Sequence, residues 1–289
     1  MSRIAYVAGQ YVPHAQAAVH IEDRGFQFAD GVYEVIAVRD GYLIDEEPHF
    51  QRLHRSLDEL RIAPPLADAA LKIVLREIAR RNGVDRGSIY LQITRGVAPR
   101  DHAFPKAAKP TLVLTARRAR PPDPRLAEEG VAVITIPDIR WQRCDIKSVA
   151  LLPNVLGKQQ AREAGAFEAW QVDADGHVTE GTSSNAWIVT RDGAVVTHPA
   201  NHAILNGVTR LALIDVVKRA GCRLEERPFT LAEAKSAREA FLTSTTSDLL
   251  PVVRIDDAPV GNGNPGLLSQ KLRAAYLARV GLAHAAAAP

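Results

Sequence analysis

The strongest constraint on the fold is a break in the chain rather than an element. At Arg120-Pro121-Pro122-Asp123-Pro124 three prolines crowd into four residues. A stretch with fixed φ and so few backbone donors sustains neither a helix nor a central strand. The chain is 289 residues long, the size at which single cores begin to split in two. We therefore expect two domains, residues 1–119 and 127–289, joined by a loop over 120–126.

Strand and helix signals alternate on both sides of that break. Asp40-Gly41 separates EVIAVR from YLI, which is hairpin chemistry, because the pair accepts the positive φ of a tight turn. Phe50, Leu53, Leu57 and Leu60 recur at three- and four-residue steps, as do Leu71, Val74, Leu75 and Ile78 before Gly83. Both runs predict amphipathic helices. Ile89, Leu91 and Ile93 alternate with Tyr90 and Gln92, so 88–95 reads as a strand, and 111–115 as another. After the break come VAVITI, then the short strands EAWQV, NAWIV and AVVTH, punctuated by Gly176 and Asp192-Gly193. That rhythm suits an antiparallel or mixed sheet better than repeated βαβ units. Val208, Leu211, Ile214 and Val217 mark a helix, 240–243 a strand, and Leu268, Leu272 and Tyr276 a closing helix before the low-complexity end AHAAAAP. The fold class is mixed, α+β or α/β, in two parts.

Composition excludes several functions. With 46% hydrophobic and 24% charged residues the chain is neither disordered nor collagen-like. A formal charge of +3, spread without a basic tract or recognition motif, gives no support to nucleic-acid binding. Two cysteines, Cys144 and Cys222, make no disulfide framework, and no His/Cys cluster has metal spacing. The start lacks an apolar signal region and no apolar run is long enough to span a bilayer. A cytoplasmic protein without membrane, nucleic acid or metal is expected.

Some residues carry more chemistry than packing requires. Only eight of the 36 basic residues are lysines, and one of them, Lys147, sits among apolar neighbours in Asp145-Ile146-Lys147-Ser148-Val149-Ala150-Leu151-Leu152. Apolar surroundings favour a neutral, nucleophilic amine, as imine formation with a carbonyl requires; a stem crossing apolar surface with its ammonium in water fits equally. Thr179-Glu180-Gly181-Thr182-Ser183-Ser184-Asn185 packs a carboxylate and small polar side chains into what reads as a turn between strands, functional or merely capped. Asn206-Gly207-Val208-Thr209 opens a helix whose N–H groups either hold an anion or simply begin the helix. Arg95, Arg100 and His102 suit a carboxylate receptor or a solvated loop, and 243–248 an anion site or a turn.

Taken together and in order, EDRGFQFADGVYE, ITRGVAPRDHAFP, DIRWQRCDIKSVALLPNVLGKQQA, VTEGTSSNAW, THPANHAILNGVTR and LTSTTSDLLPV resemble the D-amino acid transaminases among the fold-type IV pyridoxal-phosphate (PLP) enzymes. The resemblance spans nearly the whole chain. It implies two α/β domains with PLP between them, and a homodimer. Carried onto this sequence, it makes Lys147 the cofactor-bound lysine and the catalytic base. Glu180 meets the pyridine nitrogen, which keeps the ring an electron sink. The phosphate falls to Arg52, Val208, Thr209, Ser244 and Thr245, while Leu205 packs on the ring and Thr182 and Ser183 line its polar edge.

The same resemblance has Tyr33, with Arg100 and His102 from the second subunit, grip the substrate α-carboxylate, and Val35 face the substrate side chain. The implied reaction moves the amino group of D-alanine, or another D-amino acid, to 2-oxoglutarate by a ping-pong mechanism, giving pyruvate and D-glutamate. Branched-chain L-amino acid transaminases and aminodeoxychorismate lyases share the lysine and the glutamate, and Arg100-x-His102 separates the D reading from them. A PLP carrier without turnover would need only the lysine and the phosphate site.

Overall fold

The computed structural model describes residues 3–120 and 122–281; Pro121 of the proline-rich break and the terminal AHAAAAP lie outside them. The chain divides into two compact units. One gathers the chain before Pro122 together with Ile146–Leu151, and the other holds Pro122–Asp145 and the chain from Leu152 onward. A single crossing near 120–126 is what the sequence suggests, but the short stretch carrying Lys147 packs with the first unit, so the chain crosses three times.

The first unit is built on an antiparallel sheet of β1 (Ile4–Val7), β2 (Gln10–Pro13), β3 (Gly31–Arg39), β4 (Tyr42–Leu43), β5 (Gly87–Thr94) and β6 (Thr111–Arg118), ordered β2-β1-β6-β5-β3-β4. The β3–β4 turn places Asp40 at φ 51° and Gly41 at φ 79°, the twin positive values a two-residue hairpin needs. Along β5, Ile89, Leu91 and Ile93 are buried on one face while Tyr90 and Gln92 point to the other. The buried face is covered by α2 (Glu46–Leu60) and α3 (Asp68–Arg81), which insert Phe50, Leu53, Leu57, Leu71, Leu75 and Ile78. Each such side chain contributes roughly 1.5–3 kcal/mol of burial. A one-turn helix, α1 (Arg24–Phe28), precedes β3.

The second unit has a mixed sheet of β7 (Val131–Pro137), β8 (Glu168–Val172), β9 (Val178–Gly181), β10 (Asn185–Val189), β11 (Val195–Thr197), β12 (Leu224–Glu226), β13 (Glu239–Ser244) and β14 (Asp248–Ile255), ordered β12-β11-β10-β13-β14-β7-β8-β9, with β15 (Ala258–Pro259) on β14. The pairs β11/β12, β14/β7 and β7/β8 are parallel. Its central strands are apolar on both faces because both are covered. Trp187, Val189 and Phe241 pack under α6 (Val208–Arg219) and α8 (Leu267–Arg279). On the opposite side Trp170, Ala186, Ile188 and Leu242 pack with Phe229 and residues of α4 (Arg125–Glu128) and α7 (Leu231–Ser236). The helix α5 (Leu152–Glu163) follows the Lys147 segment. The stretch 179–185 is not the turn its composition suggests: Val178–Gly181 is a buried strand paired with β8, and the turn is confined to 182–184.

Candidate functional site

Main-chain pairing places Lys147. The Ile146–Leu151 segment runs along the free edge of β3, where Tyr33 N–H donates to Lys147 O (3.0 Å) and Val149 N–H to Gly31 O (3.0 Å). The Lys147 N–H donates to Ser56 Oγ of α2 (3.2 Å). Its Nζ stands 4.1 Å from the centre of the Tyr33 ring, which stacks on Tyr90 at 5.7 Å. Among the described residues no carboxylate forms an ion pair with this amine. Tyr33 and Val35 share one face of β3, and Val35 lies opposite Tyr90 of β5.

Glu34 points to the other face with Val32 and Ile36 and is 1% exposed. It accepts hydrogen bonds from Arg52 Nε (2.8 Å) and Nη2 (2.7 Å) and lies 2.7 Å from His49 Nδ1. Burial alone would raise its pKa, but Arg52 and His49 outweigh that and hold the carboxyl at about 2. Burial pushes the His49 pKa down, against the pull of Glu34, with Arg52 and Lys147 adding to the fall. Arg52 is thus held in place by a buried carboxylate.

The loop 96–104 presents Arg100 and His102 at the surface of the same unit. Both approach the Phe28 ring of α1, the Arg100 guanidinium at 4.5 Å and the His102 ring at 5.4 Å. Arg95 does not belong with them as a receptor. It is 7% exposed, paired with Asp30 (2.7 Å) and donating to the carbonyls of Leu60 (2.7 Å) and Arg61 (3.0 Å).

In the second unit, Glu180 at the end of β9 is gripped from three sides. Arg140 makes a close ion pair with it, Asn185 Nδ2 donates to Oε2 (3.0 Å), and the Leu205 N–H donates to both oxygens (3.1 and 3.2 Å). Asn185 also donates to Leu205 O (2.9 Å), so Glu180 and Leu205 are locked together. Arg140 further binds Asp138 (2.6 Å), Thr179 Oγ1 (3.1 Å) and Ala203 O (3.0 Å). Burial works against its charge, yet Glu180 and Asp138 outweigh it and raise its pKa. Burial is the chief reason that the nearby Cys144 thiol sits at about 11, too high for a ready thiolate.

Thr182 and Ser183 turn their hydroxyls onto Glu168, a carboxylate 1% exposed that also takes Ser184 Oγ (3.2 Å) and lies 3.4 Å from Lys158 Nζ. Val208 and Thr209, 3% and 5% exposed, begin α6, whose N-cap residue Gly207 has no side chain to cap it. The N–H groups at such a helix start favour an anion. Gly207 precedes them, and a Cβ there would run into Asn185 Oδ1. Ser244 and Thr245 lie at the β13–β14 turn, where Ser244 Oγ accepts the Ser247 N–H (3.1 Å). Asp173, Asp175 and His177 bring possible ligand atoms within 4.8 Å, but Asp173 already accepts the N–H groups of the other two.

Sequence reasoning passes over Glu34, His49, Arg140 and Glu168, and gives Asn185 no role beyond its place in the polar run 179–185. For Glu34 the signal is present: it occupies the inward register between Val32 and Ile36, and a buried carboxylate must have partners. His49 and Arg52 lie at i and i+3 on the next helix and supply them.

The fold and these residues define a class: the chain belongs to the class IV amino-transferases, whose family model matches residues 31–255. Its similarity to individual members is closer still. It is 42% identical over 267 residues to a D-alanine aminotransferase of Bacillus licheniformis, covering 92% of this chain and 93% of that one. It is 40% identical over 272 residues to a D-alanine aminotransferase of Staphylococcus haemolyticus, covering 94% and 95%. The branched-chain amino acid aminotransferase of Escherichia coli superposes with a TM-score of 0.87 at 23% identity, over 98% of this chain and 96% of that one. The branched-chain enzyme of Thermoproteus uzoniensis, solved with norvaline, gives 0.86 at 26% identity, covering 98% and 96%.

Proposed function

We propose that the chain is a PLP-dependent D-amino acid transaminase that passes the amino group of D-alanine to 2-oxoglutarate, yielding pyruvate and D-glutamate. The observation that carries this reading is Lys147, an amine fixed through its backbone and left without a carboxylate partner among the described residues. The D-alanine aminotransferases at about 40% identity support the substrate. The start of α6, where the buried Val208 and Thr209 follow Gly207, suits the phosphate of PLP. When bound, PLP supplies an aldehyde for the amine and a pyridinium ring that takes up the electrons released at the substrate Cα.

The residues divide the work. Lys147 Nζ would take up the Cα proton of the bound amino acid and hold it for return. Glu180, ion-paired with Arg140, would favour the protonated form of the pyridine nitrogen. Val208 and Thr209 N–H, Arg52, Ser244 and Thr245 would bind the phosphate, Leu205 would pack on the ring, and Thr182 and Ser183 would line its polar edge. Tyr33, Arg100 and His102 grip the α-carboxylate, and Val35 faces the substrate side chain. Fixing the carboxylate while Lys147 acts from one side selects a single enantiomer.

Exposed Ile21, Phe26, Val97 and Phe104 around the Arg100 loop support a homodimer in which a second copy lends Arg100 and His102. The free thiols Cys144 and Cys222 suit the cytoplasm. The test offers D-alanine and, separately, L-leucine with 2-oxoglutarate while the visible absorbance of the cofactor is followed. We expect turnover with D-alanine, abolished with the absorbance band in Lys147→Ala; turnover with L-leucine alone refutes the D reading.

A further inference from the structure

The loop that carries Arg100 and His102 has little hydrogen bonding of its own beyond an Asp101 side chain accepting the Ala103 N–H (3.1 Å). Its first residues are tied by a main-chain bridge between Val97 and Asp23 and by Ala98 N–H donating to Glu22 O (3.3 Å), and its Asp101-His102 part is held by Arg24. This guanidinium is 3% exposed, pairs through Nε with Asp30 (2.8 Å), and spends its two ends on main-chain carbonyls of the loop, Nη1 on Asp101 O (2.6 Å) and Nη2 on His102 O (3.4 Å). Arg24 is itself pinned, since its N–H donates to Gly96 O (2.9 Å). The cap of α1, Asp23, accepts both the Gly25 N–H (2.9 Å) and Thr94 Oγ1 (2.9 Å).

We propose that Arg24, oriented by Asp30, is the positioning residue of the substrate-carboxylate grip: it sets the backbone from which Arg100 and His102 project. The inference rests on the reading of those two residues given above. Its geometry is specific to a guanidinium, because only a planar fork reaches one carboxylate and two carbonyls at once. Phe28, on the same turn of helix, adds a ring approached by Arg24 at 4.8 Å and by Arg100 at 4.5 Å. Arg24 and Arg95 share the Asp30 carboxylate, and with Asp23 buried beside them two guanidiniums face two carboxylates.

The test is steady-state kinetics of the holoenzyme with D-alanine for Arg24→Gln, Arg24→Lys, Arg100→Ala and the Arg24→Gln/Arg100→Ala pair. Misplacing the grip should raise KM for D-alanine about tenfold in Arg24→Gln, with kcat within about threefold. A loss of fold alone would lower the active fraction and leave KM in place. Arg24→Lys, which keeps the Asp30 pair and loses the fork, should fall between and serves if Arg24→Gln does not fold. In the double variant the two effects should not multiply, because one residue acts through the other. An unchanged KM in both Arg24 variants, or effects that multiply, overturns the proposal. If Arg100→Ala itself leaves KM unchanged, the failure lies in the reading of Arg100, and the role of Arg24 falls with it.

Discussion

Replacing Arg140 with Met keeps most of the side-chain volume and removes the charge. The guanidinium, 5% exposed, pairs with two carboxylates, Asp138 and Glu180, themselves 12% and 8% exposed, and donates to Thr179 and Ala203. Breaking a buried pair by deleting one partner costs about 3–5 kcal/mol, because the remaining charge is stranded. At about 2–4 °C per kcal/mol for a body of this size, the melting temperature should fall by roughly 6–20 °C. The pH dependence gives a second check. Arg140 helps hold the Asp138 pKa below its ordinary value, against burial. The stability this confers is present above the unfolded pKa and lost as pH falls through the folded one. The deficit of Arg140→Met should therefore be full at pH 7 and shrink in acid. Thermal unfolding followed by circular dichroism at fixed protein concentration reads both. A fall below about 3 °C at pH 7, or a deficit that grows on acidification, would refute the argument.

Glu34, held at about 2 against an ordinary 4.5, should contribute about 3 kcal/mol at neutral pH, lost progressively as pH falls from 4.5 towards 2. Urea midpoints of Glu34→Gln should lie below those of the parent at pH 7, and the gap should narrow below pH 4.5 and close only towards pH 2; a constant gap excludes this role. His49, whose pKa is lowered by burial, should make stability fall as pH drops through about 6.5, where the unfolded imidazole gains a proton that the folded one resists. In Gly207→Ala the new Cβ meets Asn185 Oδ1 beside the helix start, and cofactor affinity by fluorescence titration should weaken about tenfold; unchanged affinity means that the start of α6 does not bind the phosphate. Glu180→Gln should retain PLP but lower kcat by about a hundredfold or more, and parental rates would contradict the role given to Glu180.

The parts of the fold legible in the sequence are those where one physical rule acts alone. The apolar steps of α2 and α3, the Asp40-Gly41 hairpin and the alternation of Ile89, Leu91 and Ile93 each state their structure locally. Rules in competition were harder to read. Residues 179–181 open a run of small polar residues that reads as a turn, yet they pair with β8 and are buried as a strand. Arg95 looks like a partner for Arg100 because both follow β5, but Asp30, far away in sequence, draws it inward. At the candidate site, the residues expected to touch ligand are individually conspicuous, as Lys147 is among apolar neighbours. The groups that hold them are not. Arg140 pairs with Glu180 and Arg24 donates to Asp101 O across long stretches of sequence, and no local period marks either contact, whereas for Glu34 only the inward register gives a signal.

The Lys147 segment also orders events during synthesis. Residues 122–145 emerge from the ribosome before Ile146–Leu151, so the first unit must wait through a length of foreign chain for its last edge piece. Until then the N-terminal half of β3 has bare N–H and C=O groups, which can recruit another nascent chain. A fragment ending at residue 121 would be frozen at that stage, with a sticky sheet edge and no reactive amine. Truncation is therefore a poor way to isolate this unit.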